Sequence, residues 1–193
     1  MAGEAMASSP ERTLLVFGDS LSAAYGLRAD QGWPSLLQKR LQQEGYGYRV
    51  VNASVSGETT AGGRARFARA LEQHKPALVV LELGANDGLR GLPLKDARAN
   101  LEAMISASRS AGAKVLLAGI LIPPNYGAKY SEGFAQMYQQ LAREQKLPLL
   151  PFLLDGVALN PNLMQQDGLH PRAEGQPRVL DNVWQYLRPL LER

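Results

Sequence analysis

The sequence predicts an α/β fold built on a parallel sheet, and three observations carry that prediction. Short β-branched or leucine-rich runs alternate with longer segments of helical period from Thr13 onward, the pattern of strands joined by crossover helices. No internal repeat, low-complexity tract or long linker interrupts that alternation. The length of 193 residues, with 45% hydrophobic and 20% charged residues, suits one ordinary globular domain around one continuous core.

Five runs read as strands: Thr13–Phe17, Tyr48–Asn52, Leu78–Leu83, Lys114–Ala118 and the shorter Leu147–Leu150. They are enough for a doubly wound sheet. Between them, Trp33, Leu36, Leu37 and Leu41 recur at helical spacing, as do Leu94, Ala97, Leu101, Met104, Ile105 and Ser108. Phe134, Met137, Tyr138 and Leu141 form a third stripe, and Val179, Val183, Leu187 and Leu190 a fourth. These stripes are expected to pack the core. A further helix is expected over residues 64–74, with Gly62 and Gly63 weakening its first turn, because glycine costs about 1 kcal/mol against alanine there. Right-handed crossovers bring the C-terminal ends of all strands to one edge, where open α/β sheets bind ligands.

Composition excludes several classes. The charge of +3 and the pI near 9.3 come from Lys and Arg dispersed among 18 acids, with no dense basic run, so nucleic acid is not an expected partner. There is no cysteine, hence no disulfide or thiolate metal site. No run approaches the roughly 18 apolar residues of a membrane span, and no charged-then-apolar secretory signal opens the chain. Residues 1–11, small and polar with a second Met, are set apart from the domain, which is taken as residues 12–193.

Four segments carry the candidate chemistry. Gly18-Asp19-Ser20-Leu21-Ser22 follows the first strand, so Ser20 sits on a turn at the ligand edge, and the next helix is expected to aim its N–H groups and positive dipole end at an anion there. Ser and Asp also cap and turn chains without doing chemistry. Asp167-Gly168-Leu169-His170-Pro171 supplies what a serine lacks. A hydroxyl becomes nucleophilic when a base takes its proton, and a carboxylate on the far ring nitrogen fixes the imidazole tautomer. The chain has only two histidines, and His74 stands at a predicted helix end suited to capping carbonyls. Acyl transfer also needs donors for an oxyanion. The Asn86 amide in Gly84-Ala85-Asn86-Asp87-Gly88 and the backbone N–H groups of Gly57 and Ser20 are the candidates, with glycine at 57 allowing close approach of the backbone to a ligand.

In order and spacing these segments resemble the SGNH (GDSL) hydrolase family: GDSLS at Gly18–Ser22, the second-block glycine at Gly57, G-x-N-D at Gly84–Asp87 and D-x-x-H at Asp167–His170. The stretches VVNASVSGETTAGG and ALVVLELGANDGLRG are similar to those of bacterial multifunctional esterases of the thioesterase, arylesterase and lysophospholipase kind. The resemblance implies a three-layer α/β/α, flavodoxin-like fold and a Ser20–His170–Asp167 triad acting on a small acyl ester or thioester. It further implies no metal or cofactor and, for members that carry a signal, a periplasmic home; a monomer is expected.

Two apolar loops at the ligand edge offer surface for an acyl chain: Gly88–Pro93, with Leu89 and Leu92, and Leu121–Tyr126, with Leu121, Ile122, Pro123 and Tyr126. The resemblance adds that the first of these loops adjusts to the chain, and Gly88 and Gly91 permit such motion. Rival readings fit less well. Gly57–Gly63 opens a helix after a strand like a P-loop, yet Gly63 and Arg64 stand where Lys and Ser or Thr are required. A non-catalytic module on this fold has no need of all four segments. A metal site on Asp19, Asp87 and Asp167 lacks histidine ligands.

Overall fold

The computed structural model describes residues 11–193. The N-terminal segment set apart in the sequence lies, through Pro10, outside the described residues. The strands are β1 (Arg12–Gly18), β2 (Tyr48–Asn52), β3 (Leu78–Glu82), β4 (Lys114–Ala118) and β5 (Leu149–Leu150). The helices are α1 (Trp33–Gln43), α2 (Thr60–His74), α3 (Ala85–Leu89), α4 (Leu94–Ser110), α5 (Ala128–Glu144) and α6 (Gln176–Leu187). All strand pairs are parallel, in the order β2-β1-β3-β4-β5. This is the doubly wound order of flavodoxin, in which the chain reverses direction across the sheet at β1/β3 and opens a crevice there.

Side-chain alternation along the strands sends residues to two faces, so the continuous core expected from the sequence is two cores separated by the sheet. Leu15, Phe17, Val79, Leu81, Val115 and Leu117 face α2, α4 and α5. Leu14, Val16, Leu78, Val80, Leu116 and Ala118 face α1 and α6. The helical stripes supply the other half of each layer: Leu101, Met104, Ile105, Phe134, Met137, Tyr138 and Leu141 on the first face, and Trp33, Leu37, Leu41, Val179, Val183 and Leu187 on the second.

Helix α2 starts earlier than its glycines suggested. The Thr59 hydroxyl caps it by accepting from the Gly62 N–H at 3.2 Å. A Cβ at Gly63 would lie 2.4 Å from Leu83 Cδ1, so this glycine brings the helix close to the sheet. Strand β5 is shorter than expected, because Leu147 belongs to the turn leaving α5, where its N–H donates to Ala142 O at 2.8 Å.

Candidate active site

The end of β1 runs into a tight turn in which the N–H groups of Ser22 and Ala23 donate to Asp19 O at 3.2 and 2.9 Å, leaving Ser20 at its crest. Helix α1 begins only at Trp33, so the helix dipole expected behind Ser20 is not there. Distance along the chain is the reason: a turn and one 3-10 turn (Ala29–Gln31) intervene, and a helix end acts only over its first turn. What remains is a turn whose Ser20 N–H has no acceptor among the described residues.

Asp167 and His170 lie on a loop folded back on itself: Gln165 N–H donates to His170 O at 2.8 Å and Met164 bridges Pro171. Gly168, at φ +66°, takes the left-handed bend that glycine adopts most easily. Asp167 Oδ1 accepts from the Leu169 and His170 N–H groups at 2.9 and 3.1 Å, which fixes the carboxylate. Its Oδ2 stands 2.6 Å from His170 Nδ1, and His170 Nε2 stands 2.8 Å from Ser20 Oγ. Partial burial pushes the Asp167 pKa up, but the bonds from His170 and the two N–H groups outweigh it and hold the carboxyl below its ordinary value. An ionised carboxylate only accepts, so Nδ1 carries the imidazole proton and Nε2 is left to accept from Ser20. The Tyr25 ring lies against His170, centroids 4.4 Å apart.

Gly57 follows β2 at φ +80°, and a Cβ there would meet nothing within 4 Å. Its glycine answers to backbone conformation, where the sequence suggested close approach. The Gly57 N–H has no protein acceptor among the described residues. The Asn86 amide is committed: Nδ2 donates to Glu58 O at 2.9 Å and to Asp19 Oδ2 at 3.2 Å. The neighbouring Asp87 turns away and accepts from the Thr60 N–H and hydroxyl at 2.8 and 2.6 Å. That carboxylate answers the N-terminus of α2, the end that resembled a P-loop. Among the described residues no three His, Asp or Glu side chains converge as metal ligands.

Ser20, Gly57, Asn86 and His170 open onto a cleft of about 320 Å³. Leu89, Leu121, Ile122 and Pro123 line it, as expected, while Leu92 and Tyr126 do not; Gly88 and Leu89, expected on a loop, belong to α3, and Gly88 packs against Ile122, where a Cβ would lie 2.2 Å from Cδ1. The Leu92 backbone is tied down by bonds to Asp87 O and from Tyr130 Oη, and Tyr126 is exposed on a 3-10 turn. The cleft is also lined by Leu169, from the segment that carries His170, and by residues the sequence did not point to: Tyr25, Phe152, Leu154, Ala158 and Met164. Only Tyr25, five residues beyond Ser20, carried a usable signal. The others come from irregular chain after β5, without periodicity.

Residues 16–178 match the model of the GDSL-like lipase/acylhydrolase family. The chain belongs to this family. It is 56% identical to Esterase TesA of Pseudomonas aeruginosa, over 93% of this chain and 90% of the relative. It is 44% identical to thioesterase 1/protease 1/lysophospholipase L1 of Escherichia coli K12, over 93% of this chain and 85% of that one. The crystal structure of TesA superposes with a TM-score of 0.91, covering 93% of this chain and all of that one. That of a psychrotrophic esterase, EstA, from a Pseudoalteromonas species, inhibited by monoethylphosphonate, gives 0.88 at 42% identity over 92% of this chain and 97% of that one. The chain is accordingly a serine hydrolase with the α/β fold of its family.

Proposed function

We propose that this hydrolase cleaves acyl esters and acyl thioesters through a covalent acyl-enzyme on Ser20. The observation that carries the reading is the relay Asp167–His170–Ser20, with links of 2.6 and 2.8 Å, ending at the mouth of an apolar cleft. His170 takes the Ser20 proton as Oγ attacks the acyl carbonyl, and Asp167 stabilises the imidazolium that forms. The oxyanion is received by the Ser20 and Gly57 N–H groups and by the Asn86 amide, which gives up its longer bond, to Asp19, to do so. His170 returns its proton to the leaving oxygen or sulfur, and water then reverses the sequence to release the acid.

The substrate range rests on the cleft and on the relatives. Its walls suit a medium-length acyl chain, each buried CH₂ contributing about 0.8 kcal/mol. The names borne by relatives, esterase, arylesterase and thioesterase/lysophospholipase, support a range that includes both oxygen and sulfur esters. A monomer, located in the periplasm as the resemblance implies, completes the proposal. Sedimentation of the purified protein and fractionation of cells producing it check those two points.

A panel of p-nitrophenyl esters and acyl thioesters of graded length, run beside Ser20→Ala, tests the proposal. Turnover of both classes by the native enzyme and neither by the variant is the expected result. Near-native turnover by Ser20→Ala ends it.

A further inference from the structure

Beneath the nucleophile turn lies a buried carboxyl that the mechanism above does not use. Glu82 ends β3 in register with Gly18 of β1, and its side chain is fully buried. Its Oε2 accepts from the Ser22 hydroxyl at 2.6 Å and the Asp19 N–H at 3.3 Å, while Oε1 has no donor. A Cβ at Gly18 would sit 2.4 Å from Oε2, so glycine at the head of the GDSLS segment makes room for this carboxyl. Asp19, also fully buried, straddles the nucleophile: Oδ1 accepts from the Leu21 N–H at 3.0 Å and Oδ2 from Asn86 Nδ2 at 3.2 Å.

Two carboxyls buried side by side, with no Lys or Arg bonded to either among the described residues, do not both ionise; one keeps a proton. The donors decide which. Asp19 has an N–H on each oxygen, the surroundings of an anion. Glu82 has an oxygen with no donor, an orphan as a carboxylate but a hydrogen-bond donor as a carboxylic acid.

We propose that Glu82 is a positioning residue: a neutral carboxylic acid that donates toward Asp19 and keeps it ionised, so that Asp19 holds the Leu21 N–H in place throughout and, until the oxyanion forms, the Asn86 amide as well. The role deepens the acyl-enzyme reading and rests on it for the meaning of Asn86. The electrostatics of the pair point the same way. Burial, and then the Asp19 charge, push the Glu82 pKa well above its ordinary value. Burial also raises Asp19, to about 6, the Leu21 N–H and Glu82 opposing it. The other titratable groups facing the pair are Asp87 on α3, Tyr138 on α5 and His170 across the cleft.

The test joins infrared spectroscopy to kinetics on the whole enzyme. At neutral pH the difference spectrum of native enzyme minus Glu82→Gln should contain the C=O stretch of a protonated carboxyl. Gln keeps a neutral donor and acceptor, so Glu82→Gln should retain most of kcat. Glu82→Leu leaves Ser22 and Asp19 short of partners, and kcat should fall roughly tenfold to a hundredfold with KM unchanged. The acid limb of its kcat profile should also move to higher pH, because Asp19 has lost the donor that favours its charge; simple loss of packing would leave that limb in place. Absence of the protonated band, or a Gln variant as impaired as the Leu variant, overturns the inference. Should the Leu variant not fold, the spectrum and the Gln variant decide. Near-native turnover by Ser20→Ala with the band intact would sink the acyl-enzyme reading and leave the protonation of Glu82 standing.

Discussion

Replacing Asp167 by Asn changes almost no volume, and its effect follows from how the two oxygens of Asp167 are used. Oδ1 serves two backbone N–H groups and Oδ2 serves His170 Nδ1. Asn has only one carbonyl oxygen. If that oxygen stays with the backbone donors, the NH₂ faces Nδ1 and drives the imidazole proton to Nε2, where it blocks acceptance from Ser20. If the amide flips, two loop N–H groups lose their acceptor. A triad Asp→Asn change at a fully buried aspartate on another fold lowers kcat about 10⁴-fold. The Asp167 side chain is 37% exposed, and water screens part of its charge, so the expected loss is roughly 10²- to 10⁴-fold in kcat, with KM little changed. The assay is steady-state hydrolysis of a short p-nitrophenyl ester by Asp167→Asn and Asp167→Ala. Asn should be no better than Ala despite keeping the shape of the loop. A loss in the Asn variant below about tenfold would refute the tautomer argument.

Three further outcomes are expected. Asn86→Ala should lower kcat about 10²-fold, near the lower end of the range for a lost oxyanion donor, because the native amide gives up a bond to Asp19 before it serves; unchanged kcat on a short ester would exclude that role. Leu89→Gln should flatten the dependence of kcat/KM on acyl length while Leu92→Gln leaves it alone, since only Leu89 lines the cleft, and equal effects in a graded ester series would count against this placement. For pH, the Asp19 pKa is raised to about 6 from 3.8, chiefly by burial, so its ionised form disfavours the folded state. That penalty is fully present above about 6 and is relieved as pH falls through 6 toward 3.8, by up to about 3 kcal/mol. Calorimetric melting should show the native protein gaining stability relative to Asp19→Asn between pH 7 and pH 4, and a constant difference would contradict the buried charge.

The parts of this molecule legible in the sequence are those set by periodicity and by local chemistry. Strands β2 and β4 have the extents their β-branched and leucine runs suggested, and the stripes of α4 and α5 lie where the helical spacing placed them, as does that of α6 through Leu187, with Leu190 on a 3-10 turn beyond the helix, because burial of one face enforces that spacing. Asp167 and His170 were readable as a pair because three residues of a turn bring them together. What stayed hidden depends on contacts far apart in the chain. Gly63 reads as a weak helix position until Leu83 is seen against it, and Glu82 reads as an ordinary strand end until the GDSLS turn closes over it. Leu92 looked equivalent to Leu89, and only the anchoring of its backbone by Asp87 and Tyr130 separates them.

The central claim is a covalent intermediate on Ser20, and mass spectrometry after reaction with an alkyl phosphonate tests it most directly. Ser20 should carry one adduct in step with loss of esterase activity, with none formed in Ser20→Ala or, at a comparable rate, in His170→Ala. Inactivation without an adduct on Ser20, or labelling that proceeds equally well in Ser20→Ala, would contradict it.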